Sequence, residues 1–196
     1  MPKHHSDDPE GGFNPADLTV RVSEMLVATA DGSDELINSA VSEMLLLLRQ
    51  RLAMDVVFVS EFVDGRRVFR YVDAPADQPV LAVGSSHPLE QTWCQRVVDG
   101  RLPQLVPDTR KLPDQASLPA VPFDIGTYLS TPVMLSGGRV YGTLCCFSFA
   151  PNVDIRQRDL RNLQSVALLI AKKIELSQAP GHATTEPAPL TLTPKW

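Results

Sequence analysis

Long apolar runs are missing from this 196-residue sequence. Nowhere does it approach the ~20 consecutive apolar residues that a membrane-spanning helix needs. An excess of basic residues is missing as well. Eighteen Lys and Arg stand against 23 Asp and Glu, for a formal charge of −5 and a pI near 5.3. A surface that grips nucleic acid or anionic lipid needs a basic patch, so neither is an expected partner. Histidine and cysteine are sparse, at four and three. No C-x-x-C, H-E-x-x-H, G-x-S-x-G or Walker loop occurs, which leaves no metal, hydrolase or phosphate-binding signature. The first residues, "MPKHHSDDPEGGFNP", have no apolar stretch of the secretory kind. Free thiols, a reducing compartment and a cytoplasmic protein are the expectations that follow.

What is present is one core-forming stretch between two polar ends. Residues 1–16 are rich in Pro, Gly and Asp, and residues 179–196 in Pro and Thr, so both are expected to be disordered. The domain is expected over 17–178. A first helix is predicted from Leu18 to about Ala30, between an Asp17 N-cap and a Gly32 stop. A second starts after Ser33. Its apolar positions, from Leu36 and Ile37 through Val41, Met44, Leu45 and Leu48 to Leu52, recur at three- and four-residue steps.

The period then shifts to that of strands. "DVVFVSEFV" and "RRVFRYVDA" flank Asp64-Gly65, a strong hairpin signal. "VLAVGSS" (80–86) is predicted as a short strand. "HPLEQTWCQRVVDG" (87–100) is predicted as a helix with Pro88 in its first turn and Gly100 at its exit. A short strand is expected within 102–108, then an irregular, proline-rich excursion over 109–126. "TYLSTPVML" and "RVYGTLCCFSF" flank a second two-residue turn at Gly137-Gly138. Arg66, Arg67, Arg70 and Arg139 sit at hairpin positions and are expected to be solvated. A last helix runs from Ile155 to about Ser177, with Asp154 and Gln157 resembling a capping box. On it Leu163, Ala167, Ile170 and Ile174 form a heptad-like seam, widened by Val166, Leu169 and Leu176. A face of that width predicts a homodimer through the terminal helices, the alternative being that it packs within the domain against helix 36–52.

This order of elements is that of an antiparallel central sheet with N- and C-terminal helices on one face, an α+β fold. At this point the chain resembles the GAF domain family. "VYGTLCCFS" (140–148) followed by "RDLRNLQSVALLIAKKIE" (158–175) is similar to the family's glycine-containing last strand, Asp-Leu pair and exit helix. "PLEQTWCQRVVDGRLPQLVPDT" (88–109) is similar to its helix–Gly–strand–Asp segment, and the likeness covers about 18–178. The nearest kind are GAF domains that accompany bacterial cyclic-di-GMP enzymes and sensor kinases. The resemblance implies a non-enzymatic sensory module in bacterial signal transduction, with a ligand pocket between the sheet and segments near 80–125. An enzyme or kinase of that kind is the implied partner, and the ligand an unidentified small molecule. The lining candidates are Phe58, Ser60, Trp93, Asp108, Tyr128, Ser130, Thr143 and Cys145.

The resemblance also predicts what the pocket does not take. Phosphodiesterase-type cyclic-nucleotide binders carry an Asn-Lys pair after the last strand. "CCFSFAPNVDIRQRDL" has none, and Asp159 is followed by Leu160. Bilin binders attach their chromophore through a cysteine followed by His, whereas Cys94 precedes Gln95 and Cys146 precedes Phe147. Haem would need an axial ligand. His87 is the one in-domain histidine and is expected to be a loop or N-cap residue. No cofactor is therefore expected. Neighbours in a strand face opposite ways, so Cys145 and Cys146 cannot chelate one ion together, and core packing is expected for both. Cys94 is expected to be core too, without a thiol partner. Two alternatives stay open: a docking or dimerisation module with a vestigial pocket, and a thiol-based redox enzyme using Cys94.

Overall fold

The computed structural model describes residues 34–77 and 80–178. The helix predicted over 18–30, the Ser33 cap and both polar ends lie outside the described residues. Helix α1 spans Asp34–Leu52 and buries Ala40, Val41, Met44, Leu45, Leu48 and Leu52 along one stripe. It ends at Ala53 in the left-handed region (φ 49°), where the Met54 N–H returns to the Arg49 carbonyl at 3.1 Å. Strands β1 (Val56–Val63) and β2 (Arg66–Asp73) form the expected hairpin, with Asp64 and Gly65 both at positive φ.

The next elements depart from expectation. No strand forms over 80–85. Instead β3 (Ser86–Pro88) pairs with Arg66–Val68 at the edge of the sheet. An edge is where a strand proline is tolerated, because the missing N–H faces no partner. Pro88 therefore belongs to a strand and not to a first helical turn. The helix is confined to α2 (Trp93–Val98), whose Gln95 N–H donates to the Thr92 hydroxyl, and Gly100 closes it at φ 73° as expected. Strand β4 is only Leu105–Val106, and the excursion over 109–126 holds two short 3-10 turns. Strands β5 (Thr127–Met134) and β6 (Val140–Ser148) follow. Their loop has three residues, Ser136–Gly138, closed by the Leu135 N–H on the Arg139 carbonyl, so the expected two-residue turn is one residue too short. Both glycines do adopt positive φ, at 78° and 81°.

Helix α3 spans Gln157–Gln178. Its cap is not the Asp154–Gln157 box. The Asp159 carboxylate, one turn in, accepts the Arg156 N–H at 2.8 Å. The six strands form one antiparallel sheet in the order β3-β2-β1-β6-β5-β4, as the fold expectation required. Helices α1 and α3 cover one face, against Val57, Val59, Leu129, Leu144 and Cys146. The opposite face presents Val56, Phe58, Phe69, Tyr128, Cys145 and Phe147 to α2 and the 109–126 excursion.

The seam positions of α3 find their contacts within the protomer. Leu163, Val166, Ala167, Ile170 and Ile174 are all buried within the protomer, against the sheet and α1. At these positions the wide face of α3 packs inside the domain, as the alternative reading has it. Leu168 and Leu176 are the exposed apolar residues of that helix. No helix among the described residues is long and apolar enough to cross a membrane.

Candidate functional site

The face of the sheet away from α1 and α3 carries a cavity of about 340 Å³, within the range of small-molecule sites. Alternation along the strands builds its floor: Phe58 from β1, Phe69 from β2, Tyr128 from β5 and Phe147 from β6. Trp93, at the start of α2, forms one wall. The excursion forms another through Val121, Phe123 and Ile125, and the segment Val80–Ser85 a third. The rings hold each other in place. Phe58 meets Phe69 edge-on at 5.0 Å, Trp93 meets Tyr128 edge-on at 5.3 Å, and Phe123 stacks on Phe147 at 5.3 Å. The proline-rich excursion is pinned to α2 by the Trp93 indole N–H on the Pro119 carbonyl at 2.9 Å and by Arg96 on the Ser117 carbonyl at 2.5 Å.

Two polar groups stand among these rings. Arg67 lies over the Phe69 ring, 4.3 Å from its centroid, and donates to Nδ1 of His87 at 3.1 Å. The ladder makes this contact, because Arg67 and His87 are paired residues of β2 and β3. A donor at Nδ1 fixes the neutral His87 tautomer with its proton on Nε2. Burial and the Arg67 and Arg66 charges lower the His87 pKa from the ordinary histidine value. Arg67 Nη1 also reaches the Cys94 sulfur at 3.6 Å, while its Nε is buried without a hydrogen-bond partner among the described residues.

Of the lining candidates, Phe58, Trp93 and Tyr128 border the cavity. Ser60, Ser130, Thr143 and Cys145 share the correct face but do not border it. They are fully buried, and their polar atoms turn to each other: Ser60 to Thr143 at 2.9 Å, Ser130 to Cys145 at 3.0 Å, and Cys145 to Thr143 at 3.2 Å. Asp108 lies elsewhere. It caps the turn Thr109–Lys111 and holds Arg110 through both carboxylate oxygens, at 2.9 and 3.0 Å, and the Arg110 hydrogen bond lowers its pKa. Sequence reasoning missed Phe69, Phe123 and Phe147 among the rings, and the polar Arg67 and His87. Arg67 was expected to be solvated and His87 to sit in a loop or at an N-cap. Only the pairing of β2 with β3, invisible until β3 is placed, brings them to the cavity.

Cys145 and Cys146 face opposite sides of the sheet, as strand alternation requires. Burial and the Asp159 charge push the Cys146 thiol up. The expectation that Cys94 has no thiol partner fails: its sulfur lies 3.6 Å from that of Cys145, and Tyr128 Oη is 3.7 Å from one sulfur and 3.5 Å from the other. Burial alone would raise the Cys94 pKa, but the Cys145 hydrogen bond and the Arg67 charge outweigh it, and the net direction is down. Cys145 moves the other way, through burial and then through Cys94.

A GAF domain family model matches residues 30–175. Among solved structures, the chain is similar to the GAF domain of an Acinetobacter phosphoenolpyruvate-protein phosphotransferase, at 18% identity and TM-score 0.65, over 85% of this chain and 95% of that one. It is also similar to free methionine-R-sulfoxide reductase from Neisseria meningitidis, solved in complex with its substrate, at 18% identity and TM-score 0.65, over 89% and 98% of the two chains. A third is the phycocyanobilin-bound GAF domain of a cyanobacterial phytochrome, at 13% identity and TM-score 0.65, over 85% and 97%. No curated protein matches the chain.

Proposed function

The chain belongs to the GAF domain family, and from that premise we propose that it is a non-enzymatic sensory module whose cavity binds a small, flat, largely apolar molecule with one anionic or hydrogen-bond-accepting edge. The observation that carries this reading is the make-up of the cavity itself. Its floor is aromatic and its walls carry Trp93 and Phe123, ring surfaces that favour a planar ligand. Its one charged lining residue, Arg67, is paired with His87, a cation beside a neutral imidazole that donates from Nε2. Such a pair orients an acceptor group while the rings supply the contact area. The similar phytochrome and sulfoxide reductase structures hold a bilin and a substrate respectively, which supports ligand binding as the use of this fold.

Bilin and haem are not the proposed occupants. Cys94 is buried against Cys145 and Arg67, and His87 engages Arg67 through Nδ1. Output is proposed to pass through the helix layer to a partner protein, on the side where Leu46, Leu168 and Leu176 remain exposed.

Native mass spectrometry of the purified chain, followed by a thermal-shift series with benzoate, indole-3-carboxylate and the uncharged benzamide, tests the reading. A retained small molecule, or a Tm rise with the carboxylates, supports it when Ala82→Trp and Ala120→Trp abolish the effect; both are exposed residues on the cavity wall. No retained mass and no shift with any probe would leave the cavity without a role.

A further inference from the structure

We propose that Cys94 and Cys145 are a redox-active thiol pair beneath the cavity, which a hydroperoxide closes to an intramolecular disulfide. The proposal does not depend on what the cavity binds.

The two residues are 51 apart in sequence, on α2 and β6, and both are fully buried. Their sulfurs are 3.6 Å apart, against ~2.05 Å in a disulfide. The approach required is thus about 1.5 Å, within the reach of side-chain rotation and a small shift of the six-residue helix α2. The surroundings are not those of an inert core thiol. The Arg67 guanidinium lies 3.6 Å from the Cys94 sulfur, which favours the thiolate that attacks peroxides. Around Cys145, Ser130, Thr143 and Tyr128 supply three hydroxyls within 3.5 Å, which offer hydrogen bonds to charged sulfur and to departing oxygen. The pair lies one side chain from the cavity: Arg67 and Tyr128 border the cavity and also touch the pair. Cys146 provides the internal comparison. It is as buried as the others but faces the helix layer, where burial and the Asp159 charge push its thiol up.

The chemistry balances in two steps. The Cys94 thiolate attacks the peroxide oxygen: an S–O bond forms, the O–O bond breaks, and the alkoxide or hydroxide leaves with a proton as alcohol or water. Cys145 then attacks the Cys94 sulfenic sulfur: the S–S bond forms, the S–O bond breaks, and the departing oxygen takes the Cys145 proton and leaves as water. Two thiols and one hydroperoxide give one disulfide, one alcohol or water, and one water. The peroxide accepts the two electrons, and a dithiol reductant reverses the change. Closure draws α2 towards β6, and with it Trp93, one wall of the cavity.

The test uses the full chain, reduced and then treated with micromolar hydrogen peroxide. Thiols are counted under denaturing conditions, and peptides are mapped without reduction after alkylation. The expected result is a fall from three free thiols to one, a Cys94–Cys145 cross-linked peptide, Cys146 alkylated, a monomer on non-reducing gels, and full reversal by dithiothreitol. Cys145→Ser should stop at a dimedone-reactive sulfenic acid on Cys94, and Cys146→Ser should behave as the parent, with circular dichroism reporting that both remain folded. Three free thiols after treatment would overturn the proposal. So would a cross-link through Cys146, one between two chains, or over-oxidation of Cys94 without a cross-link. The parent protein alone decides the question should a variant fail to fold.

Discussion

Gly142 lies near the start of β6, opposite Glu61 on one side and Val133 on the other. A methyl group at its Cα would stand 1.9 Å from the Ser60 carbonyl oxygen, 2.7 Å from its carbon and 2.9 Å from the Glu61 Cα. All three are backbone atoms of the neighbouring strand, so no side chain can rotate away. Real Cβ contacts essentially never fall under 3.0 Å, so β1 and β6 must separate locally by about 1.1 Å. Such a shift weakens one or two ladder hydrogen bonds, worth ~1 kcal/mol each. It adds overpacking of ~1–3 kcal/mol. Gly142→Ala should therefore cost roughly 3 kcal/mol, or a Tm drop of about 6–12 °C for a chain of this length. Gly84→Ala is the control. Its added methyl meets nothing within 4 Å, although φ is +82°, so only left-handed strain of ~1 kcal/mol applies. Urea denaturation of both variants beside the parent measures the difference. A Gly142→Ala loss no larger than that of Gly84→Ala would refute the close approach of β1 and β6.

Ile170→Glu puts a carboxylate where the side chain is fully buried, so cooperative unfolding should be lost at a cost on the order of 5 kcal/mol. Circular dichroism with light scattering checks it; a folded variant of smaller mass than the parent would instead make Ile170 a subunit contact. Gly138→Val, at φ +81° in the β5–β6 loop, should cost ~1–3 kcal/mol in melting experiments. His87, with its pKa lowered below 6.5, stays neutral on mild acidification while the unfolded chain takes up a proton. Its contribution to stability is therefore fully present above pH 6.5 and lost as the pH falls through the lowered folded value. NMR titration of the His87 ring should give a pKa under 6.5, and His87→Asn should flatten that part of the stability profile. A pKa at or above 6.5 would contradict the Arg67 contact.

The long elements were legible because each carries its own period. Helix α3 and the β1–β2 hairpin with Asp64-Gly65 needed no tertiary information. The crossover was not legible. Whether Ser86–Pro88 extends is decided by β2 offering an unpaired edge, and Leu89 donating to the Gly65 carbonyl at 2.9 Å fixes the chain there. With β3 misplaced, Arg67 was a solvated strand residue and His87 a loop or N-cap residue instead of two neighbours at a cavity. The thiol pair escaped for a similar reason, since only the docking of α2 on β6 brings Cys94 to Cys145. The breadth of apolar surface on α3 was legible, but which of two destinations it takes was not. A single helix lying across a sheet and beside α1 uses more than one stripe.

β6 is a party wall. Cys145 belongs to the chamber with the cavity and Cys146, its next residue, to the helix layer behind. Consecutive side chains of this one strand therefore pack into both cores. A ligand held in the cavity would bear on the helices through tilt or sliding of that strand. Strands repeat at ~3.3 Å per residue, so even a small fraction of that step would be felt at once by Leu144 and Cys146. The tightest pinch on that strand, Gly142 against Ser60, then marks where it has least freedom to slide, and so the fulcrum about which the remainder would move.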